Sequence, residues 1–158
     1  MKILFPVVRF TDVSSVLAPL VKNMALMFKA EIHVLRVEPL IDQFIDMRVK
    51  EADEWLDEFI VKHFEECEVS RAPVVPGDPA VEILKYIDEH EIDCVIIGTH
   101  GRKGLSGILF GTVVKDIVGR SPVPVLSINP YLITKDFKKR NATYLGALME
   151  ESGIHPKK

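Results

Sequence analysis

The apolar positions of this chain recur with two periods that alternate from end to end. Residues 2–8 (KILFPVV) are an apolar run of strand length, rich in β-branched and aromatic side chains, and predict a first strand. Pro6 lacks the N–H that a central ladder uses, so it is expected near that strand's C-terminal end. Val16, Leu17, Leu20, Val21, Met24, Met27 and Phe28 then repeat at helical spacing, behind several candidate caps at positions 11–15 (TDVSS). Pro19 is best tolerated in a first turn, which sets the regular helix to begin near Ser15. Residues 31–37 (EIHVLRV) predict strand two, ended by Glu38 and Pro39. Residues 42–67 are charged and helical. Their apolar stripe of Val49, Ala52, Leu56, Phe59, Ile60 and Phe64 suits a core contact.

Residues 68–75 supply a third strand, and the PGDP at 76–79 stops it and starts a helix. Gly77 turns, Asp78 caps, and Pro79 takes the first helical position. The helix over 80–90 is expected to bury Val81, Ile83, Leu84 and Ile87. Residues 93–97 form strand four, residues 112–119 a short helix with Val113, Val114, Ile117 and Val118 inward, and residues 122–128 (PVPVLSI) strand five. Strands and helices alternating at crossover length predict an α/β fold, a single doubly wound domain over 1–130 with a five-stranded, mainly parallel sheet. Sheets of this kind bind ligands beyond the strands' carboxyl ends at a switch in strand order. The crevice is expected at the ends of strands one and four. After Pro130 the composition changes. Residues 131–158 read as a C-terminal extension with a basic patch at Lys138, Lys139 and Arg140, and as either a short helix around residues 143–151 or a mobile tail.

Composition narrows the function classes. At 158 residues, with 47% hydrophobic and 27% charged residues, the chain has the length and balance of one globular domain. A net charge of −3 gives no electrostatic footprint for nucleic acid. No apolar run approaches the roughly 20 residues of a membrane span, and MKILFPVV lacks the layout of a signal peptide, so a cytoplasmic protein is expected. Cys67 and Cys94 form no CxxC and are expected as buried, reduced thiols. The histidines, at 33, 63, 90, 100 and 155, are too scattered to suggest a metal site.

The stretch that carries chemistry runs from Cys94 to Thr112, CVIIGTHGRKGLSGILFGT. A buried strand ends in glycines and basic residues, and Gly111-Thr112 opens a helix. Glycines let backbone N–H groups approach an anion, and a helix start adds unpaired N–H groups and a positive dipole end. A plain connecting turn is the alternative reading. GxGxxG after the first strand, GxxxxGK[ST] and GxSxG are all absent, and no general base is identifiable.

The spacing Gly98-x2-Gly101-x9-Gly111-Thr112 after the strand VII resembles the universal stress protein family in its ATP-binding branch, whose hallmark is Gly-x2-Gly-x9-Gly-(Ser/Thr). The likeness covers roughly residues 1–128 and includes the ILxPV opening, the strand ending at Val37, the Val-x-x-Gly-Asp-Pro helix start and SPVPVL. It implies a Rossmann-like fold of the adenine nucleotide alpha hydrolase kind. It also implies an adenine nucleotide (ATP, AMP or ADP) over strands one and four, with any Mg²⁺ held mostly by phosphate and water. By the resemblance, Gly98 and Gly101 wrap ribose and phosphates, and Gly111 and Thr112 bind phosphate beside Val113. Arg102 and Lys103 add charge-assisted contacts, His100 lies on the ribose side, and Val7, Val37 and Ile97 flank adenine next to Pro6.

One departure stands out. Family ATP binders carry Pro-x-Asp-x-Ser after strand one, whereas here Pro6 is followed by Val7, Val8 and Arg9, so Val8 or Arg9 takes the place of the Asp. Arg9 then offers a positive charge toward phosphate. The resemblance implies a homodimer through the last strand, between Val123 and Ile128. Independently, VPVLSI at a sheet edge needs cover. The leading expectation is a nucleotide-binding stress-response regulator. The alternatives are an interaction module of the same fold without useful nucleotide binding, and a slow ATP hydrolase.

Overall fold

A computed structural model describes residues 1–7, 13–41, 43–99 and 111–130. Five strands, β1 (Lys2–Pro6), β2 (Glu31–Leu35), β4 (Val69–Arg71), β6 (Cys94–Gly98) and β7 (Val125–Ile128), form one sheet in the order β4-β2-β1-β6-β7. Every pairing is parallel, with Ile3 beside Ile32 on one side and Cys94 on the other. β1 is therefore central, and Pro6 is its last residue, as expected from its missing donor. The ladder ends one step later with Val7 N donating to Leu35 O at 2.9 Å.

Among the described residues, four helices cover both faces: α1 (Val13–Phe28), α2 (Ile45–Phe64), α3 (Pro79–Glu89) and α4 (Thr112–Arg120). Alternate residues of the central strands feed two cores. Ile3, Phe5, Ile32, Val34 and Ile96 pack with Leu17 and Val21 of α1 and with Leu56, Phe59 and Phe64 of α2. Leu4, Leu35, Val95 and Ile97 pack with Ile83 and Ile87 of α3 and with Val114 and Ile117 of α4. The fold is the doubly wound, parallel α/β domain that the alternation of periods predicts.

Several boundaries differ from the sequence reading. The second and third predicted strands are each divided. β2 stops at Leu35, and a separate β3 (Val37–Glu38) pairs with β5 (Val75–Pro76) in a two-stranded sheet. The chain changes partner there, because Val75 N takes the carbonyl of Arg36 at 3.1 Å where β1 has ended. Pro73, with no N–H, falls in the gap between β4 and β5. α1 begins at Val13, so Ser14 and Ser15 lie inside it and Pro19 sits beyond its first turn. Pro19 is exposed, so water can satisfy the carbonyl it leaves unpaired. α2 keeps the predicted stripe, with Ala52, Leu56, Phe59 and Phe64 buried and Val49 and Ile60 packed at its margin. Val81 and Val118 face outward at 48% and 51% exposure, because the buried stripes of α3 and α4 run through Ile83, Ile87, Val114 and Ile117. The PGDP signal is realised in full: Asp78 accepts from Val81 N at 3.0 Å and Pro79 opens α3. Cys67 and Cys94 are free and half-buried rather than fully buried, and desolvation pushes both thiols up from their ordinary range. The basic patch and the expected helix of the extension lie outside the described residues.

His33 is 4% exposed on β2, where its Nδ1 lies 3.0 Å from the Tyr86 hydroxyl. Its Nε2 lies 3.4 Å from Glu31 Oε2, too far for a well-formed hydrogen bond. Burial lowers its pKa below 6.5, and Glu31 only partly opposes the shift. The native state thus holds the ring neutral where the unfolded chain would bind a proton, and stability is lost as pH falls through the unfolded value of about 6.5. The melting temperature is expected to be lower at pH 5.5 than at pH 7.5, with a smaller difference in His33→Gln. An unchanged difference in that variant would remove His33 from the explanation.

Candidate functional site

β1 and β6 lie side by side, and the chain leaves them toward opposite faces of the sheet, to α1 on one side and α4 on the other. That divergence opens a crevice beyond their carboxyl ends. It is a cleft of about 330 Å³, lined by Pro6 and Val7 after β1, by Leu35, Arg36, Val37 and Pro39 around β2 and β3, by Pro79 and Ile83 of α3, and by Gly98, Thr99, Gly111, Thr112, Val113 and Val114. The volume is at the small-ligand end of the usual range for binding pockets.

Its two glycines serve different purposes. At Gly98 a Cβ would stand 2.3 Å from Val13 Cγ1 and 3.2 Å from Leu17 Cδ1, so glycine is what lets α1 pack on the end of β6. At Gly111 a Cβ would meet only Thr99 O, at 3.7 Å, which is ordinary contact. Packing among the described residues therefore does not require glycine at 111. Gly111 is the N-cap of α4 in an extended conformation, with no side chain capping the helix and no acidic residue in its first turn. Among the described residues nothing caps the first N–H groups of the helix or offsets its positive end, which opens at the cleft next to the Thr112 hydroxyl.

Across the cleft stands a buried ion pair. Arg36, 7% exposed, donates from Nε and Nη2 to Glu38 Oε1 at 2.9 and 2.6 Å, and from Nη1 to Val7 O at 3.3 Å. Glu38 is 2% exposed, and its Oε2 lies 3.9 Å from Arg48 Nη1. The rest of the wall is largely apolar, made of prolines and aliphatic side chains that suit a flat ring.

Of the residues singled out in the sequence, Pro6, Val7, Val37, Gly98, Gly111, Thr112 and Val113 come together on this one cleft. Ile97 is 6% exposed, packs in the core beside α3 and α4, and does not line it. Val8, Arg9, His100, Gly101 and Arg102 lie outside the described residues. The sequence reading did not include Arg36, Pro39, Pro79 or Thr99. A signal for Arg36 was present: a charge at the end of an apolar strand, two residues before Glu38 and so on the same face.

The profile of the universal stress protein family matches residues 1–129. The chain belongs to the universal stress protein family. Universal stress protein MJ0531 of Methanocaldococcus jannaschii is 30% identical over 129 residues, covering 75% of this chain and 76% of that protein. A local match to universal stress protein MJ0577 of the same organism is 36% identical over 55 residues and spans 34% of that protein. The solved structure of MJ0577 superposes over 81% of this chain and 94% of its own, with a TM-score of 0.67 and 27% identity. Family members solved at lower identity share the fold. One from Archaeoglobus fulgidus is in complex with dAMP (22% identity, TM-score 0.62, 82% and 98% covered). One is in complex with cAMP, and one from Arabidopsis thaliana has AMP bound; both are 18% identical with a TM-score of 0.59. Among the described residues no helix is long and apolar enough to cross a membrane.

Proposed function

We propose that this universal stress protein binds a purine nucleotide, by kinship an adenine nucleotide such as ATP, in the cleft over β1 and β6, and acts as a nucleotide-responsive regulator. The observation that carries the reading is the uncapped start of α4, where Gly111 and Thr112 open onto a largely apolar cleft at the switch point of the sheet. Phosphate goes to Thr112 and the first N–H groups of α4, and the base goes between Val7, Val37 and Pro39. The loop residues His100, Gly101 and Arg102, and Val8 and Arg9 after β1, complete the site by the family's pattern. Any Mg²⁺ is held by phosphate and water. Related proteins that carry AMP, dAMP and cAMP support the ligand class.

Titration calorimetry with ATP and Mg²⁺ tests the site. Thr112→Val keeps the branched shape and removes the hydroxyl donor. Binding by the parent and about tenfold weaker binding by the variant are expected, a change equal to one hydrogen bond of ordinary worth. No binding by the parent, with a melting temperature unmoved by saturating nucleotide, would favour the alternative of an interaction module, since a ligand of the native state must raise stability.

We also propose that the domain over 1–130 pairs as a homodimer through the last strand, between Val123 and Ile128, with residues 131–158 as an extension. β7 is an edge strand, and Leu126 on it is 43% exposed. A monomer in sedimentation equilibrium at micromolar concentration would refute the pairing.

A further inference from the structure

Arg36 is a charged side chain held rigidly in an otherwise mostly apolar wall. A guanidinium has five N–H groups, and Arg36 spends three of them on Glu38 Oε1 and Val7 O. One N–H on each terminal nitrogen is left with no acceptor among the described residues. The surrounding backbone is short of acceptors as well. The carbonyls of Leu35, Arg36 and Glu38 already accept from Val7 N, Val75 N and Gly77 N at 2.9, 3.1 and 2.9 Å, and Val7 O takes Arg36 Nη1. Among the described residues, these carbonyls each have a donor already, while two N–H groups of Arg36 have no acceptor. Glu38 at 2.6 Å offsets the charge of Arg36, which makes the uncompensated start of α4 the better place for phosphate.

We propose that Arg36 reads the base of the bound nucleotide, so that the cleft accepts 6-oxopurine nucleotides at least as readily as adenine ones. The inference rests on the nucleotide reading above and names the base preference of that same site. The two N–H groups left over, one on each terminal nitrogen, can serve as the arms of a fork for two neighbouring acceptors. Guanine and hypoxanthine present O6 and N7 as such a pair, which is the edge arginine reads in DNA. Adenine places an amine donor beside N7. One arm of the fork would then face another donor, and a nearly buried donor without a partner is penalised.

The test is calorimetric titration of the full chain with ATP, GTP, ITP and 7-deaza-GTP, the last lacking the N7 acceptor. GTP and ITP are expected to bind at least as tightly as ATP, and 7-deaza-GTP about tenfold more weakly than GTP. Arg36→Met alone leaves Glu38 buried without its partner, so the variant to use is the apolar pair Arg36→Met/Glu38→Leu. Its circular dichroism confirms folding, and it is expected to lose more affinity for GTP than for ATP. ATP binding tenfold tighter than GTP, equal affinity for GTP and 7-deaza-GTP, or equal losses for both nucleotides in the double variant would each overturn the inference. Binding of ATP with none of GTP overturns this inference alone. Binding of no nucleotide overturns it together with the nucleotide reading.

Discussion

Glu38→Ala is expected to lower the unfolding free energy by about 3–5 kcal/mol, the range found when one member of a buried ion pair is removed. Urea denaturation read by far-ultraviolet circular dichroism measures it. The size follows from what remains behind. Arg36 would keep a guanidinium that is 7% exposed, with Val7 O at 3.3 Å as its only described acceptor and no carboxylate beside it. Such a charge is expensive to hold away from water. Arg48 would lose a more distant partner at 3.9 Å but keeps Pro39 O at 3.0 Å and more contact with solvent. Glu38→Gln retains an oxygen for Arg36 and should lose less. The pair Arg36→Met/Glu38→Leu should lose less again, because a well-packed apolar pair can replace a buried ion pair at little or no cost. A loss below about 1 kcal/mol for Glu38→Ala would show that water reaches Arg36 and that the pair is not a buried element of the fold.

The contrast between that pair and the glycines explains what could be read from the sequence. Strand and helix periods report which residues face a core. They placed β1, the helices and the two-sided packing, because strands and helices alternate at crossover length, and Ile3, Leu4 and Phe5 are accordingly buried on both faces. Chain punctuation was equally legible where one residue has one conformational role: Pro6 at the strand end, Asp78 and Pro79 at the start of α3. Periodicity carries no information about which strand a residue pairs with. The change of partner at Arg36, which separates β3 from β2 and lines the cleft, arises from Val75 approaching once β1 has ended. Helical spacing likewise marks a broad apolar arc, and only the actual neighbours reveal that Val81 and Val118 fall outside it. Pro19 shows the same limit from the other direction, since an exposed carbonyl before it can turn to water.

Gly98→Val is expected to lower stability by about 2–3 kcal/mol, toward the upper end of the usual overpacking penalty. Its Cβ alone would fall 2.3 Å from Val13 Cγ1, far inside contact distance, and the valine methyls would add to the overlap. Neither neighbour yields easily. Val13 is β-branched, 4% exposed and at the first position of α1, and Leu17, one turn later, is fully buried. Relief therefore requires α1 to move off the end of β6, against the core formed by Val21, Phe5 and Ile96. Gly111→Ser is the control within the same cleft. Its Cβ has room, the backbone angles of φ −62° and ψ 154° suit any residue, and serine is a favoured N-cap, so stability should stay level or rise by less than about 1 kcal/mol. Val13→Ala introduced beside Gly98→Val removes the clashing Cγ1 and should recover part of the loss. Without that recovery, the strain at 98 would have to lie in the strand and not in its contact with α1. The glycine at 98 would then have to be explained by the strand's own backbone.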